Sequence, residues 1–347
     1  MDTMQALVKA RPEPGAELST EAIPQLKPFD VLVRVKAAAI CGTDVHIYDW
    51  TPYAQARVRP PMVFGHEFCG EVVATGPNVT RVATGDLIAG ETHVPCGHCF
   101  LCNTGLEHIC KDMKILGVHI PGVFSEYAVI PESVAWKLPA DTPPLVGAIL
   151  EPVGVGVHAA YAADVRGATV LVTGCGPIGL TTVGVVKSLG ARLVIASDVS
   201  EKRAELAREF GADIAVSPLR EDLVELARSA TSGLGVDVAI EASGAASAVG
   251  QALASTRRAG QVVLFGLMGG PVALDLVEDV IYKELNIKGI TGREMWRTWY
   301  QVMEIVRSGA IDVKKLVTHE FPMSEFEEAI RVAKSGGAGK VVLYPGQ

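Results

Sequence analysis

Long apolar runs are missing from this chain of 347 residues; none approaches the roughly 20 residues that span a bilayer. The opening stretch "MDTMQALVKA" lacks the order of a basic segment followed by an apolar one that marks a secretory signal. An intracellular, cytoplasmic protein with no membrane partner is therefore expected. Cysteine is scarce and odd in number, seven in all. The chain is long enough to bury its cores without staples, so a disulfide framework is not needed. In a reducing compartment such thiols stay reduced or bind metal. An excess of positive charge is also lacking: 31 Lys and Arg against 39 Asp and Glu leave a net charge of −8. That disfavours a nucleic-acid partner, for which a basic face is expected. Amides are few, three Asn and seven Gln, as in heat-tolerant proteins.

What is there begins with "GETHVPCGHCFLCNTGLEHIC" (90–110), which holds four of the seven cysteines. Cys96, Cys99, Cys102 and Cys110 follow C-x2-C-x2-C-x7-C. This spacing folds four thiolates around one tetrahedral zinc in a closed, structural site. Taken alone it also suits an iron–sulfur cluster. A lobe of about 93–113 with little apolar content needs an anchor, and a metal supplies one. Around it, "DVLVRVKAAAI" (30–40), "FCGEVVATG" (68–76), "GDLIAG" (85–90) and "GVFSEYAVI" (122–130) read as strands of a small irregular barrel.

The second half changes period. Apolar strands at 168–174, 192–198, 235–244 and 261–267 alternate with helices at 177–191 and 200–212 and in "REDLVELARSAT" and "ASAVGQALASTRRAG". That alternation predicts a parallel sheet with crossover helices. "WYQVMEIVRSG" and "SEFEEAIRVAKSG" read as later helices, "LNIKGI" as a strand and "GKVVLYP" as the closing strand. The expected division is 1–154, 155–296, and a segment 297–347 that returns to the first domain.

"VTGCGPIG" places Gly174, Gly176 and Gly179 between a strand and a helix, with Pro177 and Ile178 inside the loop. The first glycine permits the tight turn, the second a close approach of backbone to pyrophosphate, the third close packing of helix on strand. The pyrophosphate is expected on the helix N-terminus. Asp198 ends the next strand, 19 residues beyond Gly179. A carboxylate there accepts from the ribose hydroxyls of NAD and repels the extra phosphate of NADP. Arg203 is a candidate to lie over the adenine.

Three stretches remain: "CGTDVH" with Cys41, "GHEFCGEV" with His66 and Glu67, and "ILEPVGVGVHAAY" with Glu151. Cysteine, histidine and a carboxylate form the open ligand set of a catalytic zinc, although sequence spacing alone does not assemble them. Cys69 and Cys175, with apolar neighbours, are expected to be buried core thiols.

Taken in order along the chain, "CGTDVH" (41–46), "GHEFCGEV" (65–72), the four-cysteine lobe and "GCGPIG" (174–179) resemble the zinc-dependent medium-chain alcohol dehydrogenase family over essentially the whole chain. The resemblance implies an α/β protein with a GroES-like irregular β-barrel catalytic domain and a Rossmann dinucleotide-binding domain. It further implies NAD, two zinc ions per subunit (one catalytic, one structural) and a homotetramer. "CGTDVHIYDW", "HVPCGHC" and "GITGREMWRTWY" (289–300) are most similar to the branch of that family acting on L-threonine. By the resemblance, Cys41 and His66 bind the catalytic zinc, with Glu67 or Glu151 as the carboxylate and Asp44 fixing a ligand histidine. Thr43 and His46 relay the hydroxyl proton, and His93 meets the substrate carboxylate or shapes the pocket. Arg293 is a candidate for a place near cofactor or substrate. The alternatives are a polyol or secondary alcohol dehydrogenase with the same chemistry, and a non-catalytic relative that zinc only stabilises.

Overall fold

The structure, a computed structural model, describes residues 3–346. Along the chain come β1 (Thr3–Lys9), β2 (Glu17–Ala22), β3 (Asp30–Ala39), α1 (Gly42–Tyr48), α2 (Pro52–Arg57), β4 (Met62–Val63), β5 (Glu67–Thr75), β6 (Leu87–Gly90) and β7 (His93–Val94). There follow α3 (Phe100–Asn103), β8 (Lys114–Ile115), β9 (Tyr127–Pro131), β10 (Ala135–Lys137) and α4 (Pro144–Tyr161). The next run is β11 (Thr169–Thr173), α5 (Pro177–Ser188), β12 (Leu193–Ser197), α6 (Glu201–Glu209), β13 (Ile214–Val216), α7 (Leu223–Ser229), β14 (Val236–Glu241), α8 (Ala246–Ser255), β15 (Thr256–Leu264) and β16 (Asn286–Gly289). The chain closes with α9 (Arg297–Arg307), β17 (Val317–Pro322), α10 (Phe326–Lys334) and β18 (Lys340–Tyr344).

Two compact units result, 1–151 with 314–347, and 152–313. The first break lies inside α4, between Glu151 and Pro152; the expected break was at 154. The second lies at 313, later than the expected 296. The reason is that α9 belongs to the second unit: Val302 reaches Gly154 there, and Ile311 just beyond the helix packs on Gly184 of α5.

In the first unit the large sheet runs β10-β6-β5-β3-β18-β17, with β9 also pairing β3, beside a smaller sheet β2-β1-β4. Alternation fixes the register of β3: Val31, Val33 and Val35 are buried while Arg34 and Lys36 face out. The expected strand 122–130 is cut short, since β9 begins only at Tyr127. Val123 and Phe124 instead donate to Gly65 and Phe64, and Phe124 accepts from Leu7, so this stretch ties separate strands together.

In the second unit every strand pair is parallel, in the order β13-β12-β11-β14-β15-β16. In sequence ranks that is 3-2-1-4-5-6, the doubly wound dinucleotide-binding order, whose switch point lies between the first and fourth strands. Both faces of β11 are covered, so all five of its residues are buried. The helix caps follow the sequence: Ser200 accepts from Arg203 N, and Asp222 accepts from the backbone of Val224 and Glu225. The strand expected from 261 starts at Thr256, which pairs with Val236 as α8 ends; a bulge with Ala259 at φ of 55° follows before regular pairing resumes at Gln261. Helix α4 is long and apolar enough to cross a membrane by length and composition, and it is mostly buried inside the fold.

Candidate catalytic and cofactor sites

Cys41 caps α1, just past the end of β3. Its backbone N–H donates to Asp44 Oδ2 at 2.8 Å, which holds the start of the helix. His66 immediately precedes β5 and Glu67 opens it. The antiparallel pairing Ala39↔Glu67 brings these residues beside Cys41. Ligand atoms of Cys41, His66 and Glu67 all lie within 4.8 Å of one another.

His66 Nδ1 stands 3.5 Å from Asp44 Oδ1; both atoms are buried, and neither makes a hydrogen bond among the described residues. Burial alone would push the His66 imidazole down. The charges of Asp44 and Cys41 outweigh it and hold the ring well above its ordinary value. A buried pocket with this negative field and an unsatisfied ring nitrogen fits a divalent cation held by thiolate and imidazole, with Asp44 orienting the ring from behind.

The carboxylate next to these ligands has its own partner. Both oxygens of Glu67 accept from Lys340 Nζ on β18, at 2.5 and 2.6 Å, and the same ammonium reaches Ile40 O at 3.3 Å. Burial would lower Lys340, but the Glu67 charge outweighs it and holds the ammonium above its ordinary value. Glu151 on α4 is also buried, and its charge acts on both Glu67 and Lys340, so it belongs to the same pocket. The sequence reading missed Lys340. A lysine opening a strand that is buried along most of its length was the one available signal.

Thr43 and His46 sit three residues apart on α1, on one helical face. His46 is exposed, its Nδ1 is 3.2 Å from Thr51 Oγ1, and its ring lies 5.7 Å from that of Tyr53. His93 opens β7, and its Nδ1 lies 2.7 Å from the wholly buried carboxylate of Glu91, a second residue the sequence reading missed.

In the lobe, Cys96, Cys99, Cys102 and Cys110 converge with Sγ–Sγ separations of 3.5, 3.8 and 3.9 Å. A tetrahedron of sulfurs about 2.3 Å from a zinc ion has edges of about 3.8 Å. Disulfide sulfurs would be about 2.05 Å apart, and all seven cysteines are free. Cys96 N–H also donates to Cys110 Sγ at 3.3 Å. Cys69 and Cys175 are core thiols, pushed up to about 12 by burial.

In the second unit, Gly174 follows β11 at the switch point with φ of 92°, and a Cβ there would lie 2.7 Å from Ser243 N. Gly176 caps α5, and a Cβ on it would meet nothing within 4 Å, which leaves open space at the helix N-terminus. Gly179 packs so closely that a Cβ would stand 1.8 Å from Gly174 O. This fits pyrophosphate at the N-terminus of α5, where Pro177 has no N–H to give and Ile178 supplies the first N–H of the helix. Asp198 Oδ2 accepts from Cys175 N at 2.7 Å and Oδ1 from Ser200 N at 2.8 Å. Arg203 stands in the first turn of α6, where its backbone N–H donates to Ser200 Oγ, and its charge acts on Cys175 of the glycine loop.

Arg293, expected near a ligand, is buried in the second unit. Its Cδ passes over Gly154, where a Cβ would come within 2.4 Å. His158 Nδ1 contacts Gly292 O at 3.0 Å, so this stretch is locked to the C-terminal half of α4.

The profile of the alcohol dehydrogenase GroES-like domain matches residues 27–140, and that of the zinc-binding dehydrogenases matches residues 177–308. The chain belongs to the zinc-binding medium-chain dehydrogenases, which are NAD-binding oxidoreductases with a GroES-like and a Rossmann domain. Among its relatives, it is 46% identical to the L-threonine 3-dehydrogenase of Symbiobacterium thermophilum, over 99% of this chain and 98% of that one. It is likewise 46% identical to the L-threonine 3-dehydrogenase of Bacillus licheniformis, over 99% of each. Solved structures alike in fold include an Escherichia coli alcohol dehydrogenase complexed with NADH (32% identity, TM-score 0.89, 99% of this chain and 100% of that one). Another is a zinc-binding dehydrogenase of Sinorhizobium meliloti bound to NADP (31% identity, TM-score 0.91, the same coverage). One of these two structures holds NADH and the other NADP.

Proposed function

We propose that this chain is an L-threonine 3-dehydrogenase, oxidising the β-hydroxyl of L-threonine with NAD to give 2-amino-3-oxobutanoate, NADH and a proton. The observation that carries this reading is the full-length 46% identity to L-threonine 3-dehydrogenases. Cys41 and His66 are the proposed ligands of a catalytic zinc, with Glu67, whose ligand atom converges with theirs, or Glu151, whose charge acts on Glu67, as the carboxylate. The four-cysteine lobe is the proposed seat of a second, structural zinc.

When bound, zinc polarises the substrate hydroxyl and NAD accepts the hydride from the β-carbon. The chain's own residues do the rest. Asp44 holds the His66 ring from behind. Thr43 Oγ1 and the His46 ring, on one face of α1, carry the hydroxyl proton outward, and the exposed His46 passes it to solvent. Asp198 accepts from ribose hydroxyls with the lone pairs its two backbone donors leave open, and its charge disfavours a 2′-phosphate. Arg203 lies over the adenine.

A homotetramer is part of this reading. β16 is an edge strand exposed along its whole length, and the preceding turn exposes Val277, Ile281 and Tyr282. A cytoplasmic location is supported by seven free thiols.

The test is one panel: L-threonine, D-threonine, 2-butanol and sorbitol, with NAD and with NADP, followed by reduced-nicotinamide absorbance. L-Threonine with NAD is expected to give the highest kcat/KM. A higher value for sorbitol or 2-butanol would make the protein a polyol or secondary alcohol dehydrogenase. Equal values with NADP would remove the ribose role of Asp198.

A further inference from the structure

Glu241 ends β14 with its side chain wholly buried. The parallel pairing Thr173↔Glu241 sets it level with the last residue of β11, one step before Gly174 of the glycine loop. On its other side it pairs with Leu264, the last residue of β15. The ends of β11 and β14 are the two sides of the switch point, where a doubly wound sheet takes its dinucleotide.

Three donors converge on one oxygen of this carboxylate. Oε1 accepts from Ser243 N at 2.7 Å, Ser243 Oγ at 2.5 Å and Gly244 N at 2.9 Å. Ser243 Oγ in turn accepts from Ala245 N, at the cap of α8. The backbone carbonyl of Glu241 accepts from Phe265 N and Gly266 N, each at 3.2 Å, so the same residue also holds the loop after β15. Oε2 is buried and makes no hydrogen bond among the described residues. It lies against Gly266, where a Cβ would stand 2.5 Å from it and 2.2 Å from Gly244 N. Gly244, at φ of 72°, leaves room for Leu267 O, and Ser243 packs on Gly174. An acceptor buried without a partner costs stability. An apolar side chain would avoid that cost, but it would release Ser243 and Gly244 from their common acceptor.

We propose that Glu241 is a positioning residue for the cofactor, clamping loops 242–245 and 265–267 into the wall that seats the nicotinamide half of the dinucleotide. The inference rests on the NAD reading above and deepens it. In this strand order each half of the sheet takes one mononucleotide. Asp198 follows β12, in the half proposed to take the adenosine ribose, and β14 and β15 lie in the other half. The adenosine half has its own brace at Asp198, so loss of Glu241 should weaken one half and spare the other.

AMP probes the adenosine half alone, and NADH probes both. In Glu241→Ala the Kd for NADH is expected to rise about tenfold or more, while that for AMP stays within about twofold. Calorimetric titration of the metal-loaded protein measures both. Glu241→Gln, whose amide oxygen still accepts from Ser243 and Gly244, should fall between wild type and Glu241→Ala. Ser243→Ala removes one of the three donors and should raise the NADH Kd about two- to fivefold. In turnover, KM for NAD should rise by a larger factor than kcat falls. Equal losses for NADH and AMP would mean a general loosening of the sheet and would overturn the proposal. So would a folded Glu241→Ala with unchanged NADH affinity. If Glu241→Ala does not fold, unchanged NADH affinity in both Glu241→Gln and Ser243→Ala overturns it. Wild type that binds NADH but leaves L-threonine unoxidised would sink the substrate reading, while the titrations still decide on Glu241. Wild type without affinity for NADH would overturn both.

Discussion

Lys340 Nζ stands between the two carboxylate oxygens of Glu67, at 2.5 and 2.6 Å, in a wholly buried pair that joins the last strand of the chain to the start of β5. Removing one member strands a buried charge, which typically costs about 3–5 kcal/mol, whereas removing both is far milder. Lys340→Met should lower the unfolding free energy by an amount of that order, and Lys340→Met/Glu67→Gln should recover most of it. Urea unfolding of the metal-loaded protein measures both. Equal losses in the single and double variants would mean that packing, not the charge pair, sets the effect.

Cys99→Ser should remove the lobe's metal and leave the other site loaded, so the zinc content falls from two to one per subunit. The lobe then loses its anchor, with a lower Tm and earlier proteolysis near 93–113. Metal analysis alongside thermal unfolding checks this. A variant that keeps two zincs and full stability would remove the structural assignment.

Asp237 links two central strands of the second unit: Oδ2 accepts from Thr169 N and Oγ1, each at 2.7 Å, and Oδ1 from Arg257 Nε at 2.7 Å. Burial alone would raise its carboxyl. The bonds from Thr169 and Arg257 outweigh that and hold it below the ordinary aspartate range. A depressed carboxylate stabilises the fold above the unfolded value of about 4, and the contribution is lost as pH falls through the lower folded value. Asp237→Asn should therefore be less stable than wild type at pH 7, with the gap closing as pH falls toward about 3. A gap of constant size across that range would assign the effect to the hydrogen bonds alone.

The parts legible in the sequence were those whose chemistry is local. Four cysteines within fifteen residues specify their own tetrahedron, and three glycines between a strand and a helix specify their own turn. Lys340 was illegible because its partner lies 273 residues away, and only the closure of the barrel puts β18 next to β3, with β5 on the far side of β3. Glu91 has no local signature; its contact with His93 shows only once the chain is folded. The stretch 122–126 alternates well enough to pass for a strand, but its hydrogen bonds go to several segments in turn, which no local pattern encodes. The burial of Arg293 was illegible too, since nothing in "GREMWRTWY" shows that its Cδ runs beside a bare Gly154.

The carboxylate of Asp198, proposed above to meet the ribose, also has a structural job. Before any cofactor arrives, it already ties the glycine loop to the end of β12 through Cys175 N and Ser200 N. Recognition and scaffolding are thus inherited together, which narrows the routes by which a descendant of this chain could change its cofactor. A substitution that merely deletes the charge would admit NADP into a loop that had lost its brace. The passable route keeps an acceptor at 198, as asparagine does, and places the new positive charge elsewhere, so a switch of cofactor here should take at least two steps in a set order.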